Sequence, residues 1–333
     1  MDGRAQEWFE AGQFFRWEGL EIFHAEFGDP DAPVVALVHG FPTSSIDWYD
    51  VVRPLAVDHR VCVLDFPGFG FSDKPHGGPY TLARDALLLD HYLCEVAGAR
   101  RGAVVAHDRG DSVALQFAAR GDSGESPFEL THLVLSNGNM FLPLSNLTEF
   151  QRLVLHEETA QSVLDVVTAD GLAAGMGSTT FTPPRSLDDP AIAALAQTFA
   201  HNDGVSVVHD TIQYLVERSE HEEEWLNTLA AAAVPTTVVW GLCDTVAPPR
   251  VAIHIWDHYL STKGGTNELW FLPYANHYLQ HDDPDGFVEV VTRSLTGTSP
   301  EAPGALSAEP RAPILVDRSR VELRSAKDVL AGP

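Results

Sequence analysis

Six stretches of the chain are almost uninterrupted apolar runs, at 34–40, 60–66, 102–108, 131–137, 235–241 and 267–277. Each has the length of a strand, and such continuous runs suit strands buried on both faces of a parallel sheet. Residues 13–28 read instead as two short strands joined by a glycine turn. Helical spacing fills 81–97 and 111–120 between the runs. Alternating strands and helices predict an open, mostly parallel α/β sheet with right-handed crossovers. The alternation stops between 142 and 232, where 149–167, 190–200 and 205–218 have helical patterns. This predicts a helical insertion after the sixth core strand. The expected organisation is a core over 1–141 and 233–296, the insertion over 142–232, and a surface tail over 297–333, rich in Ala, Pro, Ser and charge.

Charge narrows the function. The chain has 333 residues, with 47 acidic against 21 basic and a net charge of −26. A surface this acidic repels phosphate backbones and anionic lipid, which argues against nucleic-acid and membrane binding. No apolar run reaches the roughly 18 residues of a membrane span. The N-terminus leads into acidic and aromatic residues rather than an apolar signal segment. Cys62, Cys94 and Cys243 are far apart and lack metal-type spacing, and Cys62 and Cys94 lie in apolar surroundings. A reduced cytoplasmic setting is expected, with no metal and no cofactor, since neither a ligand constellation nor a dinucleotide fingerprint is present.

The segment 102–120 carries the most chemistry. An apolar strand runs into Ala106-His107-Asp108-Arg109-Gly110 and a helix follows at once. That is a strand–turn–helix elbow, which lifts its central side chain above the sheet at a helix N-terminus. Small residues at 106 and 110 are expected because the turn is tight. The central residue is aspartate, not serine. A carboxylate is already charged at neutral pH and can attack a tetrahedral carbon, giving an alkyl ester that water must then hydrolyse. The alternative is an Asp108 that merely caps the helix.

Three other positions complete a constellation. His39-Gly40-Phe41-Pro42 follows a core strand, and the Phe41 and Arg109 N–H groups are the expected oxyanion-hole donors. His277 follows the last core strand and is placed to be the general base. Asp244 follows the strand before it, where it would orient His277, or else cap the next helix. Asn137 occupies the other position at which an acid is found and cannot carry the charge. Asp65, heading 65–75, reads as structural. His281 is expected to be solvated at the start of a helix. Ser112 lies inside the helix after the elbow, which disfavours a serine esterase.

HGFP, DFPGFGFSDKP, AHDRG and the late Asp244/His277 pair resemble the epoxide hydrolase and haloalkane dehalogenase branch of the α/β-hydrolases. Within it the chain looks most like the mesoderm-specific transcript protein group, over roughly residues 30–295. The resemblance implies an α/β-hydrolase fold, a helical cap and an aspartate nucleophile. Epoxide hydrolases of this branch use two cap tyrosines to protonate the ring oxygen. Within 142–232 the one tyrosine is Tyr214, which resembles the second of that pair; the first has no counterpart. Tyr214 could also be a helix-core residue. Haloalkane dehalogenases carry a tryptophan after the nucleophile, where this chain has Arg109. Fluoroacetate dehalogenases do have arginine there, but also a second one near the position of Ser112. Arg109 is therefore expected to pair structurally, with Asp111 or an acid of the cap. The leading expectation is hydrolysis of a small, apolar epoxide, with haloalkane or haloacid dehalogenation as the alternative. A non-catalytic hydrolase-fold binding protein would be expected to have lost one of Asp108, Asp244 and His277.

Overall fold

The computed structural model describes residues 1–298 and 326–330. Eight strands form one sheet: β1 (Gln13–Trp17), β2 (Leu20–Phe27), β3 (Val34–Val38), β4 (Arg60–Leu64), β5 (Arg101–His107), β6 (Glu129–Ser136), β7 (Thr236–Gly241) and β8 (Glu268–Leu272). Their spatial order is β1-β2-β4-β3-β5-β6-β7-β8. β2 runs antiparallel to β1 and β4, and all remaining pairs are parallel. The chain steps from β3 outward to β4 and then back across β3 to β5, so the strand order reverses beside β3. In open α/β sheets ligands bind outside the strand carboxyl ends at such a switch point.

The strands coincide with the apolar runs for a physical reason. Nearly every residue of β3 to β7 is buried, which requires cover on both faces, whereas the edge strands β1 and β8 are half-exposed. The helices preceding the insertion are α1 (Gly3–Ala11), α2 (Tyr49–Leu55), α3 (Leu82–His91) and α4 (Arg109–Asp122). Then come α5 (Glu149–Leu155), α6 (Glu157–Leu164), α7 (Ala169–Thr179), α8 (Pro190–Ala200), α9 (Val208–Ile212) and α10 (Tyr214–Ala231), all between β6 and β7. α11 (Pro249–Ile255), α12 (Leu279–Asp282) and α13 (Pro284–Thr296) belong to the core, and α14 (Ala326–Leu330) lies against α10.

The insertion is a helical cap, subdivided more finely than its periodicity suggests. The pattern over 149–167 breaks at His156, whose backbone is extended. The pattern over 205–218 spans a turn of 3-10 helix, α9 and the start of α10, which runs on to Ala231. α7 escaped sequence reading because Gly171, Gly175 and Gly177 depress its helical signal; Thr168 caps it by accepting the Gly171 N–H. Carboxylates tether cap to core, Asp210 accepting from Gly77 N–H and Glu217 from Leu82 N–H, while Glu222 accepts from Leu142 N–H where the insertion begins. α1 also packs on α8. The expected tail lies largely outside the described residues. Of its described part, Gly297, Thr298 and Lys327 are exposed and Leu330 is buried. No helix among the described residues is long and apolar enough to cross a membrane.

Candidate active site

Asp108, at the end of β5, has φ 52° and ψ −115°, a conformation few side-chain-bearing residues adopt. The tightness expected at Gly110 is real: a Cβ there would lie 2.5 Å from the Val38 carbonyl oxygen. Across the site, a Cβ on Gly40 would lie 2.7 Å from the Asp108 Cβ. The β3 loop therefore passes directly over the elbow. Its Phe41 N–H donates to Asp108 Oδ2 at 2.9 Å.

His277, after β8, turns Nδ1 to Asp244, 3.1 Å from Oδ2 and 3.2 Å from Oδ1. Its Nε2 points at Asp108, 3.9 Å from Oδ1. The two Asp108 carboxylate oxygens thus differ: Oδ2 sits on a backbone N–H and Oδ1 faces the histidine. All three side chains are almost fully buried. Burial opposes protonation of His277, but the charge of Asp244 and its hydrogen bond outweigh it, so the pKa lies above the usual 6.5. Asp244 is held in turn by the Val246 and Ala247 N–H groups at 2.7 and 2.9 Å. It therefore turns the chain and holds His277, and does not cap the next helix, whose N-cap is Pro248.

Behind these groups lies a polar frame that sequence reasoning missed. Asn137, with φ 49°, donates through Nδ2 to the Asn276 and His277 carbonyls at 2.8 and 2.9 Å. Its Oδ1 accepts the Gly241 N–H at 3.0 Å. It thereby ties the ends of β6, β7 and β8 together. His107 Nε2–H donates to the His277 carbonyl at 2.8 Å; burial lowers its pKa to about 3, so it stays neutral. Asp65 is structural, as expected, accepting the Ser45 and Phe71 N–H groups, each at 2.7 Å.

Two sequence expectations need correction. Arg109 pairs with Asp85 of α3, and not with Asp111 or a cap acid. α4 packs on α3, which brings Asp85 under the guanidinium. Asp111 instead accepts the Ser136 N–H at 3.1 Å. His281 is not solvated but 6% exposed, with Nδ1 3.3 Å from Asp50 Oδ2 and Nε2 3.8 Å from Asp47 Oδ1. The Phe181 ring, reaching over from the cap, lies 5.7 Å from it. The Arg109 N–H, expected as a second donor, forms no hydrogen bond to Asp108 among the described residues.

Tyr214 enters from the first turn of α10. It is fully buried, its ring is 5.7 Å from that of Phe41, and its hydroxyl has no hydrogen-bond partner. Burial, and then the neighbouring Asp108 charge, push its pKa well above 10. Tyr278, beside His277, is pushed well above the usual phenol range by burial and then by the Asp47 and Asp108 charges; its hydroxyl lies by Thr43 and makes a long contact, 3.4 Å, to the Phe41 carbonyl. No cap tyrosine fills the missing first position, but this core tyrosine stands at the same site. Phe41, His277 and Tyr278 wall a cavity of about 340 Å³ whose far side is cap, including Phe150, Leu172 and Met176. Among the described residues no cluster of His, Cys, Asp or Glu could hold a metal ion.

The comparisons agree with this architecture. The model of the alpha/beta hydrolase fold family matches residues 33–284. The chain is 33% identical to a putative hydrolase LipZ of Mycobacterium tuberculosis over 87% of this chain and 97% of that one. It is 31% identical to the mesoderm-specific transcript homolog protein of Bos taurus over 84% of each. Among solved structures, an alpha/beta hydrolase fold protein from Burkholderia ambifaria superimposes with a TM-score of 0.69 at 26% identity, over 84% of this chain and 96% of that one. Haloalkane dehalogenase DbeA from Bradyrhizobium elkani gives 0.72 at 22%, over 86% and 97%, a likeness of fold alone. On the matched family and these relatives, the chain belongs to the α/β-hydrolase fold family.

Proposed function

We propose that the protein hydrolyses a small epoxide to a vicinal diol through an alkyl ester on Asp108. Asp108 Oδ1 attacks a ring carbon and the carbon–oxygen bond of the ring breaks. The departing alkoxide takes the proton of Tyr214. Water then gives a proton to His277 Nε2 and attacks the ester carbonyl carbon. The charge that develops on Oδ2 falls on the Phe41 N–H, and on the Arg109 N–H once the site closes around it. Collapse expels the diol oxygen, which takes the proton of the hydroxyl that water added, and restores the carboxylate; the proton returned from His277 leaves Tyr214 a phenol. The balance is epoxide plus water to diol. Asp244 stabilises the protonated His277 that forms midway.

The observation that carries this reading is the unpartnered Tyr214 hydroxyl buried beside Asp108. An alkoxide leaving group needs a proton or a strong hydrogen bond, whereas a halide leaves as a stable anion. A buried phenol with nothing to bond is a donor in waiting, and leaving it so costs stability. The apolar cavity walled by Phe41, His277 and Tyr278 supports a substrate with an apolar body. The intact Asp108–His277–Asp244 arrangement supports an enzyme over a binding protein.

Purified protein incubated with parallel panels of epoxides and haloalkanes tests the assignment. Diol formation that disappears in Asp108→Ala is expected. Halide release without diol formation would overturn the reaction class. Activity retained by Asp108→Ala would remove the nucleophile.

A further inference from the structure

Arg218 is 1% exposed, yet it forms no ion pair among the described residues. Its Nε and Nη2 atoms are buried without a hydrogen-bond partner. The other buried arginine at the site, Arg109, is anchored by Asp85. An uncompensated buried guanidinium is expensive, because five N–H donors and a full charge leave water together. Such a group is kept where something else supplies the missing acceptor oxygens.

Its position says where that acceptor would lie. Arg218 is four residues after Tyr214 on α10, hence one turn further along the same helix face. α10 packs on α4, the helix that begins at the nucleophile. The charges that act on Arg218 include Asp108, Asp111 and Glu222, and none of the three bonds to it. Glu222 is engaged with the Leu142 N–H and Asp111 with Ser136.

We propose that Arg218 binds a carboxylate carried by the substrate next to the carbon that Asp108 attacks. This rests on the epoxide reading and narrows it to a 2,3-epoxy carboxylate with an apolar substituent on C3. In such a molecule the ring oxygen and the carboxylate are both attached to C2. One turn of α10 then serves both, Tyr214 taking the ring oxygen and Arg218 the carboxylate. The apolar substituent goes to the cavity walled by Phe41, His277 and Tyr278. The need for a cation is electrostatic. A substrate carboxylate brought beside the Asp108 carboxylate in a dry site repels it, and guanidinium is the group that neutralises a carboxylate with matched, bidentate geometry. The competing role, a plain counter-charge to Asp108, gives no preference for acid over amide.

Calorimetric binding of trans-2-phenylcyclopropane-1-carboxylate and its carboxamide separates these roles. Both mimic the shape of 3-phenyl-2,3-epoxypropanoate and cannot react. Wild type should bind the carboxylate about tenfold or more tightly than the amide. The ratio should fall toward one in Arg218→Met and lie between in Arg218→Lys, which keeps the charge but loses the fork and guards against a folding defect. Equal affinities in wild type, a preference that survives Arg218→Met, or binding of neither compound at millimolar concentration would overturn the carboxylate site. Turnover of the matching epoxy acid and epoxy amide is read separately. Equal diol formation from both removes this inference and leaves epoxide hydrolysis standing. A carboxylate preference in binding with diol from neither removes epoxide hydrolysis and leaves the anion site.

Discussion

Replacing Tyr214 by phenylalanine should make the protein slightly more stable and much slower. The ring packs against Phe41 at 5.7 Å and lies 5.7 Å from the Arg109 guanidinium carbon, and phenylalanine preserves both contacts. What is lost is a hydroxyl with no partner in the resting protein. An unsatisfied buried polar group costs about 1–3 kcal/mol. The nearby guanidiniums recover part of that, so a gain of about 1 kcal/mol is expected, a rise in Tm of about 2–4 °C. In the proposed reaction the same hydroxyl supplies the proton for ring opening, worth about 10²-fold or about 2.7 kcal/mol. Because the phenol pKa lies well above 10, the donor is protonated throughout the working range and the loss should not vary with pH below 9. Rapid mixing of an epoxide with each protein, following the alkylation of Asp108, measures the rate; thermal melts measure the rest. An unchanged alkylation rate removes Tyr214 from the mechanism. A Tm lowered by several degrees shows instead that the hydroxyl is bonded in the resting state, and the argument for a waiting donor fails.

Three further outcomes follow from the site. His277→Gln should still be alkylated but not hydrolysed, so a stoichiometric mass increase on the Asp108 peptide is expected; normal turnover, or an adduct elsewhere, refutes the division of labour. Ester hydrolysis in wild type should lose rate below an apparent pKa above 6.5, because the base must be neutral and Asp244 favours its protonated form; Asp244→Asn removes the charge and hydrogen bond that do most to offset burial, so the apparent pKa should fall, and an unmoved profile counts against the pair. Asp111 is pushed well above 3.8, chiefly by burial, so the folded state holds a proton that the unfolded chain gives up and its contribution declines as pH rises from about 4 toward the folded pKa. Asp111→Asn mimics the protonated acid, and its Tm relative to wild type should improve from pH 4 to pH 8; a difference independent of pH contradicts a protonated Asp111.

The core was legible because its signals are local. A strand buried on both faces has to be apolar throughout, and a nucleophile elbow needs small neighbours, so Asp108, His277 and Asp244 could be placed by their position after successive runs. The cap was legible only in part. Its helices are short, α7 is glycine-rich, and their ends depend on contacts with the core rather than on periodicity. The errors at Arg109 and His281 share one cause. Each side chain is partnered across the fold, by Asp85 from α3 and by Asp47 and Asp50 from the β3–α2 region, and neighbours in sequence were the wrong place to look. Arg218 carried a faint signal as a basic residue one turn after Tyr214. That it is buried and unpaired follows only from the way α10 lies on α4.

A carboxylate nucleophile poses a problem that a serine does not: it must stay charged in a dry site among other carboxylates. The fold separates them by environment. Asp85 is matched to Arg109, and Asp244 to His277 and two backbone N–H groups. Asp111, buried beside the elbow with Oδ2 unpartnered, is pushed toward its neutral form. Asp108 alone stands at the N-terminus of a long helix with the Phe41 N–H on one oxygen and an unpaired arginine nearby. These arrangements set the other three carboxylates apart from Asp108. The loop after β3 passes so close that only glycine fits at position 40: a Cβ there would separate the Phe41 N–H from Asp108 Oδ2, the oxygen that becomes the oxyanion in the proposed mechanism.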